Sequence, residues 1–195
     1  MRVFSRCLLA VALVSMASVG QAEAGLLPIK VTVAPEADVH RWTYGVVLTS
    51  DSQLHTGDFF TIYDFAGYIP GSNVQPLQFD FSATFVGPTP GRIDATDSPD
   101  LMNLTWTYTG PDITNGQLGL GNFAANSSSG MTTDGLFSAQ THRSVDGRID
   151  SNITPTDVPV PSIPTIPEPT TMALVAIGLP LVGASRYFRR AKAAK

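Results

Sequence analysis

The central part of the chain alternates hydrophobic and polar residues with a period of two, which is typical of β-strands. The alternation is clearest in residues 77–86, LQFDFSATFV, where the odd positions are hydrophobic and most even positions are polar. Residues 42–48 and 104–108 alternate in the same way. Residues 59–65, FFTIYDF, are apolar on nearly both faces, as in a strand covered on two sides. These four segments predict well-defined strands.

Three further segments have a weaker strand pattern, namely residues 29–34, 117–124 and 136–142. Clusters of glycine, proline, asparagine and serine separate the strands, as expected for turns. No segment of this region combines a helical apolar period with helix caps. About seven short strands without a helix predict a single antiparallel β-sandwich over residues 25–153.

Proline becomes frequent after residue 154, with six prolines within residues 155–169. Because proline lacks an N–H donor and has a fixed backbone φ, it disrupts helices and central strands. We expect residues 154–166 to form an extended, proline-rich linker of polyproline II character, a stalk that follows the domain.

The first 24 residues have the organisation of a signal peptide. Two arginines precede an apolar run over residues 7–19, which is too short for a stable membrane span. Small residues then allow cleavage after Ala24 or, alternatively, after Ala22. The only cysteine lies in this segment. The mature chain would therefore have neither a disulfide nor a catalytic thiol.

The C-terminal segment, residues 167–195, contains three features in a fixed order. Pro167, Glu168 and Pro169 precede residues 170–185, which carry no charge. Sixteen helical residues span about 24 Å, less than the roughly 30 Å of a bilayer core, so a transmembrane helix over about 170–188 would be marginal. A basic cluster follows, which should stay cytoplasmic, stop transfer and leave the β-domain outside: Arg186, Arg189, Arg190 and Lys192.

This ordered set closely resembles the PEP-CTERM sorting signal of bacteria that produce exopolysaccharide. The resemblance covers about the last thirty residues. It implies that an exosortase, a membrane transpeptidase, recognises Pro167, Glu168 and Pro169 and cuts the chain near them. More loosely, residues 57–72 and 103–111 resemble segments of the ectodomains that precede such signals, and this likeness brings no catalytic residues with it.

The resemblance implies an exported, non-catalytic protein. It would be anchored in the inner membrane before processing and would reach the cell surface or the extracellular matrix afterwards, in association with exopolysaccharide. One alternative is a carbohydrate-binding adhesin, assisted or not by calcium. Another is a secreted hydrolase, for which the sequence offers no recognisable nucleophile motif.

The charge of the central region bears on its partners. Residues 25–160 contain five basic and fourteen acidic residues, a net charge of −9, whereas the whole chain has −4 because its tail is basic. An acidic surface repels phosphate backbones, so we expect no nucleic-acid partner.

The tripeptide Trp-Thr-Tyr occurs twice in the predicted strands. Two aromatic rings on one face of a strand can form a platform on which sugars stack. Alternation favours the core instead, because the rings share their face with aliphatic residues and the opposite face is rich in threonine. The residues concerned are Trp42, Tyr44, Trp106 and Tyr108.

An acidic loop, residues 94–100, offers candidate ligands for calcium. Asp94, Asp97 and Asp100 carry the hard oxygen atoms that calcium prefers, although their spacing does not match a twelve-residue calcium loop. The three histidines lack the spacing of a zinc site. We therefore expect no cofactor, with calcium at these aspartates as the alternative.

Overall fold

The computed structural model describes residues 25–91 and 93–161. This part of the chain is all-β and its strands pair antiparallel, which confirms the predicted fold class. Within these residues no helix is long and apolar enough to cross a membrane. The predicted signal peptide with Ala22 and Ala24, the Pro-Glu-Pro motif, the transmembrane helix and the basic cluster lie outside the described residues.

Nine strands form the described part of the chain. They are β1 (Leu26–Glu36), β2 (Val39–Leu48), β3 (Ser52–Gln53), β4 (Phe59–Phe65), β5 (Phe79–Thr84), β6 (Met102–Tyr108), β7 (Leu118–Ser127), β8 (Thr132–Arg143) and β9 (Ile149–Pro159). All seven predicted strands are present, and two strands, β3 and β9, were not predicted.

The strands form two sheets. The smaller sheet has the order β1-β2-β7. In the larger sheet β3, β8, β4, β6 and β5 follow one another, and β9 pairs with β8. Because β8 pairs with β4 on one side and with β9 on the other, β9 is an edge strand. Both sheets contribute side chains to one hydrophobic core, consistent with the predicted β-sandwich.

The core follows the predicted alternation. In β2 every second residue from Trp42 to Leu48 is buried, and the residues between are partly exposed. In the larger sheet Phe60 stacks on Trp106 and Phe137 with ring centroids 5.2 Å apart in each pair. Phe123 of β7 approaches Phe60 edge-on at 4.8 Å, so aromatic packing joins the two sheets.

Strand β9 corrects the predicted boundary between domain and stalk. The linker was expected to begin at residue 154, yet residues 154–159 belong to β9 and pair with β8 as far as Pro159. Prolines are tolerated here because an edge strand pairs on one side only. The remaining linker residues, 162–166, lie outside the described part.

Candidate functional site

The four predicted platform residues lie in the core. The side chains of Trp42, Tyr44 and Trp106 have 0% exposure and Tyr108 has 1%. Trp42 donates its indole N–H to Ser129 O at 2.9 Å, and the Tyr44 hydroxyl donates to Asp157 O at 2.9 Å. No ring face is left for a sugar, so these residues stabilise the fold, as the alternation indicated.

The central part of the opposite face of the larger sheet is also buried, but it is polar. It consists of side chains that alternate with the aromatic core residues of β4, β6 and β8: Thr61, Tyr63, Asn103, Thr105 and Ser138. The hydroxyls of Thr61 and Thr105 lie 3.0 Å apart, and those of Tyr63 and Ser138 are also 3.0 Å apart. We call this set the polar face.

Residues 85–91, FVGPTPG, lie against the polar face, and we call them the strap. Pro88 O accepts hydrogen bonds from the Thr61 hydroxyl at 3.1 Å and the Tyr63 hydroxyl at 3.2 Å. The approach is close, because a Cβ added to Gly87 would lie 3.0 Å from carbon atoms of both Asn103 and Thr61. Glycine is therefore the residue that lets the strap lie against the sheet.

A β-bulge places Asp64 beside the same face. The register of β4 against β6 shifts between Ile62 and Phe65, and Asp64 has a left-handed φ of 57°. Its backbone N–H donates to Asn103 Oδ1 at 2.9 Å, and its carboxylate accepts the N–H of Ser98 at 2.9 Å. The bulge thus ties the acidic loop to the sheet.

The structure does not gather the three candidate calcium ligands, Asp94, Asp97 and Asp100, into a metal-holding group among the described residues. Asp97 accepts a hydrogen bond from Asn103 Nδ2 at 2.9 Å, while Asp94 and Asp100 are exposed. Within the described ranges, no group of three or more His, Cys, Asp or Glu residues is placed to hold a metal ion. The loop uses Asp97 to attach itself to the sheet rather than to gather its carboxylates.

The position of Asp64 affects its protonation. Burial raises the pKa of the Asp64 carboxyl, the Ser98 N–H lowers it, and the negative charge of Asp97 raises it further. The net effect is a raised pKa, so the ionised form of Asp64 is less favoured in the folded chain than in the unfolded chain.

Two neighbouring grooves lie along β8 and β9. One, with a volume of about 270 Å³, is lined by residues that include Pro28, Lys30, Asp134, Pro155, Thr156 and Asp157. The other, of about 480 Å³, is lined by Asp64, Thr96, Asp134, Gly135, Leu136 and Pro155. Asp134 and Pro155 line both grooves, and we call the two grooves together the trough.

Two of the trough's carboxylates face each other across the sheet. Asp134 and Asp157 are register partners in the β8–β9 pair, and both are exposed. Like charges directly opposite each other destabilise a sheet. Among the described residues neither forms a salt bridge that would offset this cost. Fold stability therefore does not explain the pair.

A second polar cluster was missed by sequence reasoning because one of its members, His142, is distant in the chain from the other two, His55 and Asp58. Asp58, 1% exposed, accepts hydrogen bonds from His55 N at 2.8 Å and from His142 Nδ1 at 3.0 Å. The two imidazoles stack with centroids 4.0 Å apart. An acid–histidine pair occurs in hydrolases, but there the histidine activates a nucleophile. Here the bonds connect the β3–β4 loop to β8.

Comparison with known proteins assigns neither a family nor a function to these residues. No protein-family model matches the chain, and a search of curated proteins returns no match.

Proposed function

We propose that the protein is an exported, non-catalytic bacterial surface protein. Its all-β domain would be delivered to the cell surface or the surrounding matrix by a C-terminal sorting signal that an exosortase processes, and there it would associate with exopolysaccharide. The observation that carries the proposal is the ordered set of Pro167–Pro169, an uncharged segment and a basic cluster, together with the leader-like segment ahead of the domain.

The physical properties of the signal support this proposal. A rigid tripeptide with a single acidic residue is a distinctive recognition motif at a membrane surface. The uncharged segment that follows would span a bilayer only marginally, so it can hold the chain during processing. The basic cluster would retain the tail on the cytoplasmic side.

The polar clusters support a non-catalytic role, because their hydrogen bonds are made within the fold. Asp58 bonds His55 and His142. In the acidic loop Asp97 bonds Asn103, and the N–H of Ser98 donates to the Asp64 carboxylate. Catalytic groups instead direct their reactive atoms towards a substrate.

Mass spectrometry of the protein purified from its native host tests the proposal, because it determines both ends of the mature chain. We expect an N-terminus at Gly25, or at Glu23 if cleavage follows Ala22, and a C-terminus close to Pro169. A Glu168→Ala variant should keep its basic tail. A wild-type chain with an intact tail, in a cell that encodes an exosortase, would contradict the proposal.

A further inference from the structure

We propose that strand β5 binds a second copy of this chain, with the two β5 strands antiparallel and related by a two-fold axis at Ser82. The edge of β5 has unpaired backbone groups, it lacks the features that block the other long edge strands, and it is complementary to itself. The inference does not depend on the sorting signal or on a polysaccharide partner.

The free edge of β5 directs backbone groups away from the sheet. β5 pairs only with β6, and hydrogen-bonded and non-hydrogen-bonded residue pairs alternate along two antiparallel strands. Tyr108 of β6 directs its N–H and C=O towards the β4 side, so its β5 partner Phe79 belongs to a non-hydrogen-bonded pair. By alternation the same holds for Phe81 and Ala83, whose N–H and C=O groups therefore point away from β6.

The fold supplies partners for the outward groups of Phe79 but not for those of Phe81 and Ala83. The Phe79 N–H donates to Pro76 O at 3.1 Å, and Gln75 Nε2 donates to Phe79 O at 3.5 Å. Among the residues that the structure describes, no hydrogen bond involves the outward groups of Phe81 and Ala83. Two donors and two acceptors are therefore available to another strand.

The long strands at the other sheet edges, β1, β7 and β9, are blocked. A free edge invites pairing with another chain, and proline, lysine or a covering segment prevents it. Strand β9 contains Pro155 and Pro159, and β1 contains Pro28 and Lys30. Residues 69–74 cover the outer edge of β7 and hydrogen-bond to it. The sequence of β5, FDFSAT, has neither proline nor lysine, so its edge can still pair.

A second copy fits this edge because β5 is complementary to itself. With the axis at Ser82, Phe81 of one copy lies opposite Ala83 of the other, so the outward N–H and C=O groups of both residues can pair. On the exposed outer face Asp80 lies opposite Thr84, and Ser82 lies opposite the same residue of the second copy. No two charged side chains are opposed, so the pairing avoids local repulsion although each domain is net negative.

Exposed hydrophobic side chains flank β5 and favour the same arrangement. Leu77 precedes the strand and is fully exposed, and Phe85 and Val86 follow it with 50% and 76% exposure. Antiparallel pairing about Ser82 brings the start of one β5 beside the end of the other, so Leu77 of one copy comes close to Phe85 of the second. Two such contacts, one on each side of the axis, would remove apolar surface from water.

Disulfide cross-linking of the full-length protein tests the proposal. All variants carry Cys7→Ser, which removes the only cysteine of the chain. Two Ser82→Cys chains would have Cα atoms about 4.5 Å apart across the axis, so oxidation with copper phenanthroline should give a covalent dimer. Asp80→Cys is the matched control. Its two cysteines would lie about 13 Å apart along the strands, and it should cross-link at least about tenfold more slowly.

A mixture of Asp80→Cys and Thr84→Cys chains tests the register. These positions lie opposite each other in the proposed pairing, so the mixture should form heterodimers whereas each variant alone should not. Adding Ser82→Lys to both chains places two like charges at the axis and should abolish this cross-linking. Thr32→Lys, at an exposed position of β1, adds the same charge elsewhere and should leave it unchanged. Circular dichroism identifies any variant that fails to fold.

Several results would overturn the proposal. Equal cross-linking of Ser82→Cys and Asp80→Cys would show that copies meet without aligning β5. A mixture that cross-links no better than its components would exclude the register, and cross-linking that survives Ser82→Lys would exclude the contact at the axis. Chains that form no covalent dimer would contradict pairing between copies and would leave the edge to a strand of another protein. Mass spectrometry judges the sorting proposal separately, so neither result affects the other.

Discussion

The larger sheet buries its inner face and the central part of its outer face, but different forces bury the two. On the inner face Phe60, Trp106 and Phe137 stack on one another and meet the smaller sheet. On the outer face hydroxyl and amide groups hold the strap through hydrogen bonds. The same strands supply both faces, because successive side chains point to opposite sides.

The inner face and the polar face therefore have different roles: the first mainly stabilises the fold, and the second mainly positions the strap and the acidic loop. Hydrophobic burial is non-directional and scales with area, so the inner face should supply most of the folding free energy. Hydrogen bonds add little net stability but fix geometry. The polar face is therefore suited to holding the strap and the acidic loop in defined positions, including Thr96 at the wall of the trough.

The largest expected effect comes from the inner face. Phe60→Ala should lower the free energy of unfolding by about 3 to 5 kcal/mol, because it removes a ring that contacts both sheets and leaves a cavity. Denaturation of the full-length chain can be followed by the fluorescence of Trp42 and Trp106, which are both buried. Phe85→Ala is the control, since Phe85 is half exposed and should cost far less. Equal losses would contradict the contrast between buried and exposed rings.

A smaller loss is expected on the polar face. Tyr63→Phe keeps the ring but removes a hydroxyl that lies 3.2 Å from Pro88 O and from Thr89 Oγ1 and 3.0 Å from Ser138 Oγ. The cost should be about 1 to 2 kcal/mol, since Pro88 and Ser138 each lose a partner. Amides of the strap should also exchange with deuterium faster. Unchanged exchange would show that the hydroxyl does not hold the strap.

Much of this fold was accessible from the sequence because its strands bury one face. Alternation in residues 42–48 and 104–108 indicated both the strands and the burial of their aromatic rings. The alternation of hydrophobic and polar residues did not predict β9, which is polar and contains Pro155 and Pro159. Its place is fixed by pairing with β8 across the short connection of residues 144–148, and a hydrophobic pattern does not show pairing that depends on the partner strand.

The candidate site was harder to predict from the sequence than the fold. Sequence reasoning noted the aspartates of the acidic loop, but not that Asp97 accepts a hydrogen bond from Asn103. The trough depends on residues from β1, β4, β8, β9 and the acidic loop, and the cluster of Asp58 with His55 and His142 joins positions far apart in the chain. These juxtapositions arise from topology.

Filling the space beneath the strap gives a further test. In Gly87→Ala the new methyl group would lie 3.0 Å from Asn103 Cβ and from Thr61 Cγ2, so the strap must move away. Because a small shift of the strap relieves part of the strain, we expect a loss of about 1 kcal/mol in unfolding free energy. Gly91→Ala in the same strap is the matched control, as nothing lies within 4 Å of its added Cβ. If both variants behave alike, the strap is not closely packed on the sheet.

The smallest expected effect concerns the charge of Asp64. Its pKa is raised in the folded chain, mainly by burial, so the folded state binds the proton more tightly and stability from this group increases as the pH falls. At neutral pH the ionised carboxylate is a small net cost. Asp64→Asn keeps an oxygen for the Ser98 N–H and tolerates the left-handed backbone, so it should raise stability at pH 7 by no more than about 0.5 kcal/mol.

That gain should shrink as the pH approaches 3.8, the ordinary pKa of an aspartate, because the wild-type carboxyl then becomes neutral in both the folded and the unfolded chain. Denaturation midpoints of the two proteins across this range measure the difference. Asp80→Asn, at an exposed strand position, is the control for replacing a carboxylate with an amide. A variant that is less stable than wild type at pH 7 would mean that the hydrogen bond from Ser98 outweighs the burial of the charge, and the strap side of the sheet would then depend on an ionised Asp64.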